Sequence, residues 1–220
     1  MGAWQARRRA GLTGVVVALL GWSCSGTGDP SQPSGPPPYD RHATVVGEDR
    51  AADGRSLALL LLLEDRRLYE AGAVRPLLSA PTRVRARLAL TLGRVGDRAG
   101  VPELEFLLQD EEVEVRRAAA FGLGLLAAAE ARPALLRAAL DGDEVTGRLS
   151  VEALAKQGAE LQEVQAALGG LAEEQRWRRL LPSLFRFNGS GVVELAAQAL
   201  EAAPAEVRFW AAYALSRRPQ

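Results

Sequence analysis

A spacing of 31 residues recurs along this chain and limits its possible folds more than any other feature. Segments that start at Val84, Val115 and Thr146 align at this spacing, and a further copy starts at Val207, one residue early. A column of mostly glycine residues repeats in the same register: Gly96, Ala127, Gly158 and Gly189. A unit of this length cannot bury its own apolar face and must stack on its neighbours. The sequence therefore predicts a repeat array with an extended surface.

The composition of the units indicates helices rather than strands. Hydrophobic residues make up 48% of the chain but aromatic residues only 5%, so alanine and leucine supply the packing. An apolar run at 54–63 predicts a first helix. One predicted helix set then covers 82–95, 113–127, 145–157, 175–187 and 206–217, and the other covers 101–109, 133–140, 161–171 and 192–202. The glycine column is expected to end the first set with left-handed caps, and Pro182 to kink its fourth helix.

The N-terminus has the order of an export signal. Three arginines at 7–9 precede an apolar stretch at 12–22, and small residues follow at 23–26. We therefore expect residues 1–23 to be a signal peptide. The one cysteine of the chain, Cys24, stands where the apolar stretch ends and resembles the lipobox cysteine of bacterial lipoproteins. This resemblance implies acylation of Cys24 and a lipid anchor, while cleavage after Ser23 without lipidation is the alternative.

Residues 24–53 are expected to form a disordered tether. The segment is rich in proline, glycine and serine and lacks helical periodicity. The repeat array would then occupy 54–220, as about five to six helical pairs by the 31-residue spacing.

The best-preserved unit carries the pattern VRxxAAxxLG, which is filled by Val115, Arg116, Ala119, Leu123 and Gly124. This pattern resembles the bacterial HEAT-like repeat first described in phycobilisome lyases. The resemblance implies an all-α fold in which helix pairs form a right-handed superhelix, a HEAT-like α-solenoid. It also implies a binding function, because such arrays act through their surfaces. The third unit departs from the pattern, since Gly147 stands where the motif arginine should be.

Several functional classes lack the residues they need. The chain has 27 basic and 27 acidic residues, whereas proteins that bind nucleic acid usually have an excess of basic residues that neutralise phosphates. With one histidine, at position 42 before the array, and one cysteine in the signal, no catalytic triad or metal-ligand set can be assembled in the folded region. We therefore predict a protein without enzymatic activity, metal or cofactor that does not bind nucleic acid.

One column of the first helix set suggests a contact surface. Arg117, Arg148 and Arg179 occupy equivalent positions and would form a basic ladder along stacked helices, suited to an acidic peptide. The alternative is that these arginines pair with loop acids and stabilise the stack alone. Trp177 is predicted to be core, while aromatic residues of the last helix are predicted to face outwards as partner anchors. The candidate partner-binding residues are Arg117, Arg148, Arg179, Lys156, Phe209, Trp210 and Tyr213.

These features predict a protein-protein interaction scaffold in the bacterial cell envelope, anchored to the membrane through Cys24. In a second interpretation, the array presents substrate to a lyase or peptidyl-prolyl isomerase whose catalytic part lies on another domain or subunit. This follows from the resemblance of exported arrays to the front half of lipoproteins that carry an isomerase domain. In a third, the array is a structural spacer. The sequence leaves open whether the chain is part of a longer protein.

Overall fold

A computed structural model describes residues 41–189, 191–202 and 204–217. The chain divides into the units Met1–Arg41 and His42–Gln220, and the second holds the repeat array. The predicted signal peptide and Cys24 lie outside the described residues. No helix in the described ranges combines the length and the apolar character that a membrane span needs.

The described residues form helices throughout, in close agreement with the predicted segments. The α-helices are α1 (Arg41–Arg66), α2 (Ala71–Val74), α3 (Thr82–Val95), α4 (Val101–Leu107), α5 (Val113–Leu126), α6 (Arg132–Ala138), α7 (Glu144–Lys156), α8 (Leu161–Ala167), α9 (Glu173–Leu180), α10 (Gly191–Ala202) and α11 (Ala205–Ser216). The described residues also include 3₁₀ segments directly after α2, α8 and α9 (Arg75–Ser79, Leu168–Gly170 and Leu181–Arg186) and directly before α4 and α6 (Arg98–Gly100 and Ala129–Ala131).

Odd-numbered helices pack on one another in chain order. The helix α3 contacts α5, α5 contacts α7, and α7 contacts α9, while each of α4 and α6 packs against the odd-numbered helix that follows it. The leucine column Leu92, Leu123 and Leu154 is buried in the shared core, as its spacing predicts. The fold is therefore a stack of helix pairs, which confirms the all-α prediction.

The glycine column ends α3, α5 and α7 as predicted, whereas Gly189 lies beyond the 3₁₀ segment that follows α9. The residues Gly96, Gly158 and Gly189 have φ angles of 78°, 70° and 104°, and Ala127 takes the same left-handed region with φ 49°. Glycine adopts this conformation without strain, whereas a Cβ makes it costly. Arg67 at the end of α1 is also left-handed, with φ 48°. This common cap identifies α1 as the odd-numbered helix of a further unit.

Small residues let neighbouring backbones approach closely. A Cβ added to Gly93 of α3 would lie 2.5 Å from the Cα of Gly122 in α5, and one added to Gly122 would lie 2.7 Å from the carbonyl oxygen of Ala89. Between α5 and α7, a Cβ on Gly124 would lie 3.3 Å from that of Ala153. The odd-numbered helices are thus in direct backbone contact at α3 and α5.

The helix α9 ends early, at Leu180, and the helix α1 begins early, at Arg41. Pro182 interrupts the fourth odd-numbered helix as predicted, because α9 ends at Leu180 and the chain continues as 3₁₀ helix. The tether prediction was wrong at its end: α1 begins at Arg41, so residues 41–53 are helical. That stretch follows the last proline of the segment, Pro38, and contains alanine, glutamate and arginine, which favour helix.

Candidate partner-binding site

The three ladder arginines lie in three different environments. Arg117 is committed within the stack, since its Nε and Nη2 donate to the carboxylate of Asp143 at 2.8 and 2.6 Å. The backbone N–H of Thr146 also donates to Asp143, at 2.8 Å, which makes Asp143 the N-cap of α7. The hydrogen bonds from Arg117, with those from Thr146, hold the pKa of Asp143 well below its usual range. Arg117 therefore ties α5 to the start of α7.

Arg179 is buried and is not part of an exposed ladder, so its prediction as a contact residue was wrong. Only 4% of the residue is exposed. Its guanidinium donates to the carbonyl oxygen of Ala139 and, at 2.7 Å, to that of Asp141. The space for this guanidinium exists because Gly147 has no side chain, since a Cβ there would collide with it. The missing motif arginine thus explains why Arg179 turns inwards.

The regular motif arginine shows what Arg179 replaces. Arg116 donates from Nη1 to the carbonyl oxygen of Asp110 at 2.9 Å and from Nε to the carboxylate of Asp141 at 2.8 Å. Asp141 is the counterpart of Asp110 one unit later. The carbonyl of Asp141 would therefore accept from an arginine at 147, but it accepts from Arg179 of the next odd-numbered helix instead. An arginine from the following unit takes over the role.

Arg148 differs from both other members of the ladder. It is half-buried and makes no ion pair within the part of the chain that the structure describes. It lines a cleft of about 240 Å³ together with Pro182, Arg178 and Trp210. Arg178 is already paired with Glu174 of α9 and with Glu206 of α11, each at 2.9 Å.

Lys156 borders an apolar patch that sequence reasoning missed. Its Nζ pairs with Glu152 at 2.8 Å and lies 5.9 Å from the ring centre of Phe121. Phe121 is 37% exposed, Leu125 42% and Leu61 56%. We call Leu61, Phe121 and Leu125 the groove patch. The sequence signal for this patch was a large apolar residue at an exposed helix position in neighbouring units. Using that signal required knowing which face of α1 is exposed.

The groove patch has charged edges. Leu61 and Leu125 line a groove of about 690 Å³ at the ends of α1, α3 and α5. Glu64 of the groove accepts from Arg87 at 2.6 Å and from Arg94 at 2.9 Å, which locks α1 onto α3. The groove therefore combines exposed apolar surface with side chains held in place by ion pairs.

The aromatic residues of α11 form one cluster. Phe209 and Trp210 meet edge to face at 5.3 Å between centroids, and Trp210 meets Tyr213 at 5.7 Å. Phe209 is 62% exposed, whereas Trp210 and Tyr213 are half-buried. Phe209 faces outwards as predicted, and its two neighbours do so in part. Trp177 is buried, which confirms its assignment to the core.

Comparison with known proteins supports the same architecture. The family model for HEAT repeats matches residues 73–155 and 104–182. Together these matches span 73–182, half of the 220 residues. No protein among those with curated descriptions matches the chain at a significant level. The repeat match and the stacked helix pairs together show that the chain belongs to the HEAT-repeat proteins.

Proposed function

We propose that this chain is a non-catalytic scaffold that binds a protein partner through the groove patch. The observation that carries the proposal is that the exposed side chains of Leu61 and Leu125 line one groove, and that exposed Phe121 lies one helical turn from Leu125 on α5. Apolar patches with polar rims are typical of protein-interaction sites. The family match supports binding as the general role, because HEAT arrays present extended surfaces rather than reaction centres.

The patch alone is too small for tight binding. Full burial of a leucine or phenylalanine side chain contributes about 1.5–3 kcal/mol, so covering the exposed part of all three gives about 3 kcal/mol. Association costs at least that much in lost freedom of movement. A partner must therefore also contact the neighbouring units, and the proposal requires an elongated or multi-point binding mode.

We further propose that the array is held in the cell envelope by an acylated Cys24. The support is the order of charged, apolar and small residues at 7–26, with the one cysteine of the chain at its end. Metabolic labelling with a fatty acid tests this. Label and membrane association should both disappear in Cys24→Ser, whereas an unlabelled wild-type protein in the soluble envelope fraction would favour cleavage after Ser23.

The binding proposal is tested by crosslinking in envelope extract. We expect wild type to capture a defined partner and Phe121→Asp to lose it, because a charge in the patch cannot be buried cheaply. Phe106→Asp is the matched control, since Phe106 is 58% exposed but lies on the even-numbered helix α4. Equal capture by all three proteins would overturn the proposal, as would equal loss in both variants.

A further inference from the structure

The cleft beside Arg148 contains a positive charge that the fold does not use. The guanidinium of Arg148 has no carboxylate partner among the described residues, whereas Arg117 of the same column is clamped by Asp143 and Arg179 is bonded to carbonyls. Arg178, the other arginine of the cleft, already pairs with Glu174 and Glu206. The planar donor fork of Arg148 is thus available to a ligand.

The walls of the cleft strengthen an interaction with this fork. Val145, Pro182 and Trp210 supply apolar surface around Arg148. Such surroundings lower the local dielectric and make a charge-assisted hydrogen bond stronger than it is on open surface. The volume of about 240 Å³ would hold about eight waters, which is room for one side chain rather than a large ligand.

The acidic residues of the same cleft restrict the charge of that ligand. Glu144 and Glu206 line it together with the two arginines. A multiply charged anion such as a phosphate would meet both carboxylates, and like charges at close range are unfavourable. A single carboxylate brings less like charge to these two glutamates than a phosphate does, and it matches the one guanidinium of the cleft that has no ion-pair partner among the described residues.

We infer that this cleft binds one aspartate or glutamate side chain of the partner, next to an apolar residue that packs on Trp210. The inference rests on the proposed function, because it assumes that the array binds a protein. The cleft is then a second contact point besides the groove patch, and it selects a carboxylate of the partner.

The probe is an acetylated, amidated ten-residue peptide with a single glutamate beside a phenylalanine in an otherwise uncharged sequence, compared with its glutamine twin. Binding is followed through the indole N–H signal of Trp210 in the full ¹⁵N-labelled chain, assigned with Trp210→Phe. We expect the glutamine twin to bind about tenfold more weakly, the effect of one charge-assisted hydrogen-bonded contact. In Arg148→Gln the two peptides should bind equally, and Arg148→Lys should restore part of the difference.

Arg83→Gln is the matched control, because Arg83 is an exposed arginine on α3 and makes no ion pair among the described residues. It should leave the preference for glutamate unchanged. The inference is overturned if the twins bind wild type equally, if neither binds, if Arg148→Gln keeps the preference, or if inorganic phosphate shifts the Trp210 signal at lower concentration than the peptide. Failure here leaves the crosslinking result for Phe121→Asp unaffected, so the two proposals fail separately.

Discussion

The exchange of Gly147 and Arg179 predicts a strongly non-additive pair of substitutions. In Gly147→Ala the new methyl group meets a guanidinium that is buried and bonded to two carbonyls, and such overpacking costs about 1–3 kcal/mol. Alanine has a higher helix propensity than glycine and recovers up to about 1 kcal/mol. With an overpacking cost near the upper end of its range, we expect the free energy of unfolding to fall by about 2 kcal/mol. Arg179→Ala removes two charge-assisted hydrogen bonds and leaves their acceptors buried. Because Arg179 Nε has no hydrogen-bond partner among the described residues, we expect a loss of about 3 kcal/mol rather than more.

In the double variant the methyl group at 147 enters space that the guanidinium has left. We expect it to cost about 3 kcal/mol, no more than Arg179→Ala alone, which gives a coupling of about 2 kcal/mol. Urea unfolding followed by circular dichroism measures all four corners of the cycle. Gly54→Ala is the control, because a Cβ at Gly54 meets nothing within 4 Å, and it should be neutral or stabilising. Additive losses within about 0.5 kcal/mol would refute the exchange.

Three further substitutions test other features of the fold. Ala127→Gly should raise the free energy of unfolding by about 1 kcal/mol, since Ala127 has a left-handed φ of 49°, and a lower thermal midpoint would contradict this. Gly122→Ala should lower it by about 2 kcal/mol or more, because the new Cβ lies 2.7 Å from a carbonyl oxygen of α3, and an unchanged urea midpoint would argue against the close contact. Asp143→Asn keeps the cap but loses the charge opposite Arg117. Because the folded pKa of Asp143 is depressed, its contribution is present above about pH 4 and is lost as the pH falls, so stability should decline less in the variant than in wild type between about pH 5 and pH 2.

The fold was largely predictable because the same pattern of helix-forming, core and helix-ending residues occurs in several units. The helix ends followed from the glycine column, and even Ala127 takes the conformation of its glycine equivalents, which shows that stacking overrides the local cost. The start of α1 was not predictable from the same evidence, because residues 41–53 lie outside the 31-residue period. The composition near a proline-rich segment suggested a tether, while the absence of proline between Pro38 and Pro76 allowed α1 to extend towards the N-terminus.

The candidate site was harder to predict, because identical columns do not have identical surroundings. Arg117, Arg148 and Arg179 share a register position, yet Arg117 is paired with Asp143, Arg148 has no ion-pair partner among the described residues, and Arg179 is buried. The difference depends on neighbours in other units, namely Asp143 for Arg117 and Gly147 for Arg179. A column of equivalent positions predicts where the backbone of each residue lies in the stack, but it does not predict which residue its side chain binds.

The cleft beside Arg148 lies where the repeat departs from its own pattern. Pro182 ends α9 early and itself lines the cleft, so the irregular helix and the candidate carboxylate site share a residue. Position 147, next to Arg148 in sequence, holds glycine in place of the motif arginine that binds the preceding loop in other units. The side chain of Arg179 lies inwards and binds that loop instead. That placement removes Arg179 from the ladder, so the remaining ladder arginine beside Arg148 is Arg117, which is paired with Asp143. Sequence drift at this junction therefore leaves one arginine without an ion-pair partner among the described residues, beside the apolar side chains of Val145, Pro182 and Trp210, where a regular unit would have repeated a paired surface.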